Sequence, residues 1–276
     1  MVEVIAELGI NANGDLGIAK KLIDVAAAAG CDYVKLQKRD IDLVYSREEL
    51  SKPRESQWGT TTRAQKEGLE FDLYQYQEID EYCKEKGIKW FLSFWDHKSV
   101  KLMTQGHFEF PFVKVPSALI TNMELLEAIK KADLPVIVST GMSDLDEIDV
   151  AVDGVLGPQR VYCVMACTST YPTVPEEINA KCILSLKKLY PWAKIGFSNH
   201  YPGLMAMLLA VAYGAEVIEM HITLDRTLPG SDQAASIEPQ GLFELVNRIK
   251  LIEQMKGDGI KMVFDSEVPI LDKLRR

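Results

Sequence analysis

Apolar residues follow two alternating patterns along the chain. Short runs rich in Val, Ile and Phe, without strict alternation, are typical of parallel strands covered on both faces. Between them lie segments in which apolar residues recur every three or four positions, the spacing of an amphipathic helix. The eight predicted strands are VEVIAELGI, DYVKLQ, IKWFLSF, PFVKVPS, LPVIVST, RVYCVMACTS, AKIGFS and EVIEMH.

A predicted helix follows each predicted strand. Asp15 is a suitable N-cap for the first helix, and Gly30 and Gly87 are suitable residues to end the first two. Eight strand–helix units in about 255 residues predict an α/β fold, the closed (β/α)8 TIM barrel. An open doubly wound sheet is the alternative, but no GxGxxG motif follows the first strand. We predict a barrel domain over residues 1–257 and a tail over 258–276.

The segment 38–70 departs from this alternation. It is polar, contains Pro53 and Gly59, and has no strong period. Because it is too long for a simple barrel loop, and long loops at such positions are usually functional, we expect it to contribute to a site.

Composition narrows the class of protein. The chain has 276 residues, 47% of them hydrophobic and 26% charged, as in globular enzymes. A net charge of −9 argues against nucleic acid and anionic membranes as partners. No apolar run approaches the ~18 residues of a membrane span, and the N-terminus has no basic region of a signal peptide. Five cysteines without a CxxC motif indicate reduced thiols, so we expect a cytoplasmic protein.

Polar residues cluster where the predicted strands end. In a (β/α)8 barrel the active site lies at the C-terminal ends of the strands, so these side chains should converge on one rim. The rim residues are Glu7, Asn11, Lys35, Gln37, Ser93, Asp96, Lys114, Ser117, Ser139, Thr140, Thr168, Tyr171, Ser198, His200, Glu219 and His221.

Two of the chain's four histidines close consecutive strands. His200 follows GFSN, and His221 lies in VIEMHITLD. Neutral imidazole is a common metal ligand, and two on neighbouring strand ends can share one ion. The alternative is that one histidine caps a loop and the other packs in the core.

Two lysines interrupt buried strands. Lys35 lies in YVKLQ and Lys114 in FVKVPS, and a buried lysine is costly unless it meets an anion. We favour a clamp for phosphate and carboxylate groups. Ion pairs with Glu7 or Glu219, or a Schiff-base lysine, are the alternatives. Asp232, in LPGSDQAAS, is either a ligand of a polyol or part of a solvated turn.

Six blocks carry a family resemblance: IAELGINANGDLGIAKKLIDVAAAAGCDYVKLQK, FVKVPSALITNMELLEAI, VIVSTGMSDLDEI, CTSTYPTVPEEIN, GFSNHYPGLMAMLLAVAYGAEVIEMHITLDRTLPGSDQAAS and IEPQGL. In this order they resemble the sialic acid (N-acetylneuraminate) synthase family. The resemblance implies a TIM barrel that condenses phosphoenolpyruvate with an N-acyl amino sugar, typically N-acetylmannosamine, and releases phosphate. It also implies a homodimer.

The resemblance assigns roles to residues of the rim. A divalent metal, usually manganese or magnesium, would be held by His200 and His221, and Glu7 would lie at the reacting centre. Residues implied to contact phosphoenolpyruvate are Lys35, Lys114, Ser117, Ser139 and Ser198. Residues implied to hold the sugar are Gln37, Tyr171, Glu219 and Asp232. Ser93 and Thr168 complete the substrate-binding residues that we predict.

The chain departs from the family pattern at several positions. Ala12 replaces a histidine, Leu119 replaces an acidic residue, and Gln233 stands where many members have histidine. The block FLSFWDHKSV is one residue shorter than usual. The sequence stops near SEVPILDKLRR, where the family continues into an antifreeze-like domain that gives the partner's site an arginine. We therefore expect a barrel-only enzyme with a more open site. A metal-dependent aldolase or lyase acting on another sugar or 2-keto acid, and a non-catalytic sugar-binding barrel, are the alternatives.

Overall fold

Eight parallel strands close into a barrel in the computed structural model, which describes residues 1–275. The ten strands within the described residues are β1 (Glu3–Gly9), β2 (Tyr33–Lys38), β3 (Pro53–Ser56), β4 (Gly59–Thr61), β5 (Lys89–Phe94), β6 (Val113–Val115), β7 (Val136–Ser139), β8 (Val161–Cys167), β9 (Lys194–Asn199) and β10 (Val217–His221). Barrel neighbours pair in the order β1–β10–β9–β8–β7–β6–β5–β2, and β3 pairs only with β4. The predicted (β/α)8 barrel is confirmed.

Helices surround the barrel. They are α1 (Leu16–Ala29), α2 (Ile41–Val44), α3 (Arg47–Ser51), α4 (Thr62–Leu69), α5 (Leu73–Lys86), α6 (His97–Thr104), α7 (Met123–Ala132), α8 (Leu145–Asp149), α9 (Cys182–Leu189), α10 (Met205–Ala212), α11 (Pro239–Lys256) and α12 (Val268–Leu274). A π-helical segment, Val150–Leu156, continues α8. No helix within residues 1–275 is long and apolar enough to cross a bilayer.

The barrel strands are mostly apolar because helices cover their outer face and the barrel interior covers the other. Ile5, Val34, Val113 and Val164 are fully buried between the barrel interior and the helices. The buried polar side chains of the barrel, such as Lys35, Lys114 and Glu219, lie in the C-terminal halves of their strands or close to them, on the side where a (β/α)8 barrel carries its active site.

The first helix begins and ends where the sequence predicts. The Asp15 carboxylate accepts a hydrogen bond from the Ile18 backbone N–H at 2.9 Å and caps the free end of α1. Gly30 ends the helix with φ of 84°, a left-handed conformation in which a Cβ is strained. The two caps thus fix where α1 begins and ends, and with it the point at which the chain turns toward β2.

Two local predictions were wrong. The segment 38–70 has regular structure: the short helices α2 and α3, the β3–β4 hairpin and α4, each too short to give a clear period. The helix predicted to follow the strand RVYCVMACTS, over EEINAKCILSLKKLY, begins only at Cys182. Asn179, with φ of 41°, interrupts the earlier part, because a left-handed residue cannot continue an α-helix.

The residues that follow α11 are mostly exposed to solvent. Most side chains of 258–275 are exposed, including those of α12. Arg276, the last residue of the predicted tail, lies outside the described residues.

Candidate active site

A cavity of about 160 Å³ opens at the C-terminal ends of the barrel strands. It lies where the (β/α)8 architecture places an active site. The predicted site residues that line it are Glu7, Lys35, Gln37, Ser93, Lys114, Ser117, Ser139, Tyr171, Ser198, His200, Glu219 and His221.

Two lysines and two glutamates form one buried ionic network in this cavity. Lys35 Nζ lies 2.9 Å from Glu7 Oε2 and 3.0 Å from Glu219 Oε2. Lys114 Nζ donates a hydrogen bond to Glu219 Oε1, which also accepts one from Ser198 Oγ at 3.1 Å. Both lysine side chains are at most 5% exposed. The internal ion pairs with Glu7 and Glu219 therefore exist, and both lysines also line the cavity.

The network separates the two lysines electrostatically. Burial lowers the pKa of Lys114 to about 8, only partly offset by the Glu219 carboxylate, and the neighbouring Lys35 lowers it further. Burial acts on Lys35 in the same direction, but the carboxylates of Glu219 and Glu7 outweigh it and raise the pKa of Lys35. Burial would raise the pKa of Glu219, yet the two lysines hold it well below its usual range. Lys35 is therefore a permanent cation at neutral pH, whereas Lys114 loses its charge in mildly alkaline solution.

A second chain of contacts, which the sequence did not predict, orients Gln37. Arg39 donates a hydrogen bond to Gln37 Oε1, and Gln37 Nε2 donates one to Glu7 Oε1 at 2.9 Å. The buried Arg39 is itself held by Glu70, with Nε 3.1 Å from Oε1, and its guanidinium carbon lies 4.8 Å from the centre of the Trp95 ring. Trp95 lines the cavity. The segment 38–70 therefore contributes to the site through Arg39 and Glu70.

The two predicted metal ligands lie on one side of the cavity, with ring centres 5.8 Å apart. His200 Nδ1 lies 2.7 Å from the Thr168 carbonyl oxygen, so Nδ1 carries the proton and Nε2 keeps the lone pair. That lone pair accepts a hydrogen bond from the Tyr171 hydroxyl at 2.7 Å. His221 Nδ1 is buried without a hydrogen-bond partner and lies 3.7 Å from Asp232 Oδ2.

The donor atoms of these imidazoles suit a divalent metal ion, but the two rings differ in their protonation. Burial lowers the pKa of His200, yet the contacts with Cys167 and the Thr168 carbonyl outweigh it and raise that pKa. Burial lowers the pKa of His221, which favours the neutral, metal-binding form, and its orphaned Nδ1 gains a partner if an ion binds there. The carbonyl that fixes the His200 tautomer is the kind of second contact that metal-bound histidines make. Residues 1–275 contain no group of three or more His, Cys, Asp or Glu side chains arranged as a metal site. The remaining ligands of an ion here would be water or substrate.

Two predicted substrate ligands lie outside the cavity wall. Thr168 directs its hydroxyl to the Glu177 carbonyl oxygen at 2.8 Å, so its link to the site is the backbone contact with His200. Asp232 has its carboxylate oxygen Oδ2 3.7 Å from Nδ1 of His221. The sequence shows that Thr168 and Asp232 follow strand ends, but it does not show the direction of their side chains.

Three other rim residues support the barrel instead of lining the cavity. Asn11 Nδ2 donates to the Ile222 carbonyl oxygen at 2.8 Å, Asp96 caps α6, and the Thr140 hydroxyl donates to the Met165 carbonyl oxygen at 2.9 Å. These contacts satisfy buried polar groups where strands become loops.

The cavity wall also contains residues that the sequence did not single out. They are Trp95, Pro116, Ala118, Met142, Cys167 and Ser169. Cys167 is the last residue of β8, and each of the others directly follows a strand or belongs to the segment after it, so counting every residue at and after the strand ends would have found them. Among the residues that line the cavity, Cys167 is the one cysteine. Burial raises the pKa of its thiol, but the hydrogen bond to His200 outweighs burial and lowers this pKa to about 7.

The family departures at Ala12 and Leu119 do not fall on the cavity wall. Ala12 is buried in the apolar core, and Leu119 packs against that core from a turn. Gln233, the third departure, is buried, accepts a hydrogen bond from Thr223 and lies with Nε2 3.4 Å from the Asn11 carbonyl oxygen. All three side chains have packing roles here.

A parallel eight-stranded barrel with buried ammonium, carboxylate and imidazole groups at the C-terminal ends of its strands has the construction of a TIM-barrel enzyme. The comparisons with known proteins identify which kind. The chain belongs to the NeuB family, whose model matches residues 22–261.

Relatives of known name cover nearly the whole chain. This chain is 37% identical over 273 residues to the N-acetylneuraminate-9-phosphate synthase of Homo sapiens, and the match covers 98% of this chain and 76% of the human protein. It is 36% identical to the N,N'-diacetyllegionaminic acid synthase of Campylobacter jejuni, with 99% and 83% covered. The crystal structure of N-acetylneuraminic acid synthetase from Leptospira borgpetersenii, in complex with citrate, superimposes with a TM-score of 0.85 at 32% identity and covers 100% of this chain and 93% of that chain. The chain is therefore a synthase of this family.

Proposed function

We propose that the protein condenses phosphoenolpyruvate with an N-acyl amino sugar, giving a nonulosonic acid and inorganic phosphate. The observation that supports this most is the convergence of Lys35, Lys114 and the two imidazoles on one cavity of a NeuB-family barrel. The named relatives make nonulosonic acids with and without a terminal phosphate, so the product class is common to them and the acceptor differs.

The reaction joins C3 of the enol to the aldehyde carbon of the sugar. Electrons of the enol double bond form the new C–C bond, the aldehyde oxygen takes a proton, and C2 becomes electron-poor. Water then adds to C2, loses a proton, and the C2–O bond to phosphate breaks. Because two anionic groups of one small molecule must be held beside an aldehyde, fixed positive charge and fixed position are the main requirements.

The lysines meet the first requirement. Lys35 keeps its charge. Lys35 and Lys114 contact different oxygens of the Glu219 carboxylate, Oε2 and Oε1 respectively. Anionic oxygens of bound phosphoenolpyruvate would replace the Glu219 carboxylate as partners of the two ammonium groups. Because Glu219 holds these groups in the free protein, they are already oriented before the substrate arrives. The hydroxyls of Ser117, Ser139 and Ser198 line the same cavity and can donate to phosphate or carboxylate oxygens. Ser139 Oγ, buried without a partner, is free to do so without breaking a contact.

Glu7 is the carboxylate that we assign to the proton of the attacking water. It is fully buried at the cavity wall, and its two oxygens are fixed by Gln37 and Lys35. Glu219 is less suited to this step, since two lysines and Ser198 share its oxygens. We assign Gln37, Ser93 and Tyr171 to the sugar, because they line the cavity and carry hydrogen-bonding groups.

His200 and His221 would hold a divalent ion of the manganese or magnesium type. When bound there, such an ion supplies Lewis acidity toward the carbonyl oxygen of the sugar. The chain's own contribution is to keep Nε2 of His200 as the lone-pair nitrogen through the Thr168 carbonyl. We also propose a cytoplasmic homodimer; sedimentation of the purified protein tests the oligomeric state.

Phosphate release from phosphoenolpyruvate, assayed with manganese and a panel of N-acyl hexosamines, tests the function. We expect one phosphate for each nonulosonic acid detected by mass spectrometry, and loss of turnover in Lys114→Met. The matched control is Lys101→Met, an exposed lysine of α6. If no acceptor leads to consumption of phosphoenolpyruvate, the proposal is wrong, and cleavage of a 2-keto acid sugar without phosphoenolpyruvate would indicate an aldolase instead.

A further inference from the structure

The side chain of Tyr171 adjoins both imidazoles of the active-site cavity. Its ring lies against that of His200, with ring centres 3.9 Å apart, and is inclined by 78° to the ring of His221, with centres 6.0 Å apart. Its hydroxyl donates a hydrogen bond to Nε2 of His200 at 2.7 Å. The phenol therefore makes its hydrogen bond to a residue that the proposed function assigns to a metal ion.

His200 has a single lone pair to offer a ligand. A neutral imidazole carries one N–H group and one nitrogen lone pair. The Thr168 carbonyl oxygen, 2.7 Å from Nδ1, can only accept a hydrogen bond, so the proton is on Nδ1 and the lone pair is on Nε2. A metal ion at His200 needs the lone pair that the Tyr171 hydroxyl already uses. The hydroxyl and an ion therefore compete for the same nitrogen.

Hydrogen bonds hold the backbone beside Tyr171 in place. The backbone N–H of Thr173 donates to the His200 carbonyl oxygen at 3.0 Å, and the Thr173 hydroxyl donates to the Thr170 carbonyl oxygen at 2.9 Å. Thr173 is itself buried. Because these contacts tie the loop after β8 to the end of β9, the hydroxyl can leave Nε2 by rotation of the Tyr171 side chain alone.

The Tyr171 side chain has room for this rotation. Tyr171 is 48% exposed although it lines the cavity, so part of it faces solvent. The polar contact that it gives up is one hydrogen bond, and a net hydrogen bond changes an equilibrium constant by about two- to tenfold. A divalent ion can therefore displace the hydroxyl, and its apparent affinity is lowered by about that factor.

We propose that Tyr171 is a placeholder at the metal site. Its hydroxyl holds Nε2 of His200 until an ion takes that lone pair, and the released hydroxyl then binds the acceptor sugar. This inference rests on the proposed function and gives Tyr171 a positioning role in it. Metal binding and acceptor binding are coupled through one hydroxyl group, and this coupling acts in both directions.

Calorimetric titration of manganese into metal-free protein, without substrates, tests the displacement. Tyr171→Phe keeps the aromatic ring and removes the hydroxyl. We expect this variant to bind manganese about two- to tenfold more tightly than the wild-type protein, because the ion no longer competes with a hydrogen bond. Changes to residues that support metal ligands usually weaken binding, so a purely structural role of Tyr171 would not give this gain.

Tyr82→Phe is the matched control. The Tyr82 hydroxyl donates to the Asp24 carboxylate at 2.9 Å, and neither residue lines the cavity, so the affinity for manganese should stay at the wild-type value. Unchanged affinity in Tyr171→Phe overturns the proposal. Weaker binding also overturns it, because the hydroxyl would then be a ligand of the ion or a support of His200. If the wild-type protein does not bind manganese, the metal site and this inference fail together.

Steady-state kinetics test the transfer of the hydroxyl to the acceptor. The substrate is the N-acyl hexosamine with the highest turnover in the panel above, at saturating manganese and phosphoenolpyruvate. We expect its KM to rise about two- to tenfold in Tyr171→Phe and to stay unchanged in Tyr82→Phe. An unchanged KM in Tyr171→Phe overturns the transfer. If the wild-type protein uses no acceptor, the proposed function fails, whereas tighter manganese binding in Tyr171→Phe still supports the displacement.

Discussion

Lys114 on β6 and Glu219 on β10 form a buried ion pair across the mouth of the barrel. The two strands lie on opposite sides of the ring, since β9, β8 and β7 separate them. With Lys35 and Glu7 the pair makes a group of two positive and two negative charges. Both lysines therefore have partners before an anionic substrate arrives, and the substrate must compete with Glu219 for them.

Removing the charge of Glu219 should destabilise the folded protein. Glu219→Gln leaves Lys35 and Lys114 with one carboxylate between them inside the barrel, and breaking a buried pair from one side costs about 3–5 kcal/mol. The free energy of unfolding in urea measures this. Glu49→Gln, which removes an exposed partner of Lys52, is the control and should leave the unfolding free energy unchanged. A loss for Glu219→Gln no larger than that of the control contradicts the network.

The affinity for phosphoenolpyruvate should fall in alkaline solution. Lys114 is charged below its pKa of about 8 and neutral above it, so the cavity loses one positive charge as the pH rises through that value. We expect kcat/KM for phosphoenolpyruvate to decline above about pH 8, since this parameter reports groups of the free enzyme. Lys114→Arg should move the decline to higher pH, because arginine stays protonated. A profile that is flat from pH 7 to about 9.5 in the wild-type protein contradicts the assignment.

Loss of either imidazole should remove metal binding. Manganese affinity, measured by calorimetry on protein purified without chelator, should fall by at least about tenfold in His221→Ala and in His200→Ala, because each variant removes one of two protein ligands. Activity should be abolished in both. His97→Ala is the control, since His97 lies at the start of α6 beside Glu124, away from the cavity. Unchanged manganese binding or retained turnover in His221→Ala contradicts the metal proposal.

The sequence predicted the parts of the site that depend on the architecture. Once alternating patterns give a (β/α)8 barrel, residues such as Lys35, His200 and Glu219 must come together, because all the strand ends meet at one rim. A lysine inside an apolar strand was informative for the same reason. The cost of burying the Lys35 charge is offset by the carboxylates of Glu7 and Glu219, which also lie at the rim.

Features that depend on side-chain direction were not predictable. Thr168 and Asp232 follow strand ends, but the Thr168 hydroxyl donates to the Glu177 carbonyl oxygen and the Asp232 carboxylate lies 3.7 Å from Nδ1 of His221. The hairpin of the segment 38–70 has strands of four and three residues, too short to show a period of two. Arg39 was missed because its role depends on contacts with Glu70 and Trp95, which tertiary packing brings together.

Arg39 should act on catalysis through Gln37 without touching substrate. By donating to Gln37 Oε1 it turns the amide so that Nε2 donates to Glu7, and small displacements of a reacting group can cost up to about a hundredfold in rate. We expect Arg39→Gln to lower kcat by about tenfold or more with little change in KM for phosphoenolpyruvate, and Arg39→Lys to recover part of the loss. Arg63→Gln, which removes the exposed ion pairs of Arg63 with Asp42 and Glu67, is the control for stability. An Arg39→Gln variant that raises KM alone, or loses activity only in proportion to its unfolded fraction, shows that the residue is structural.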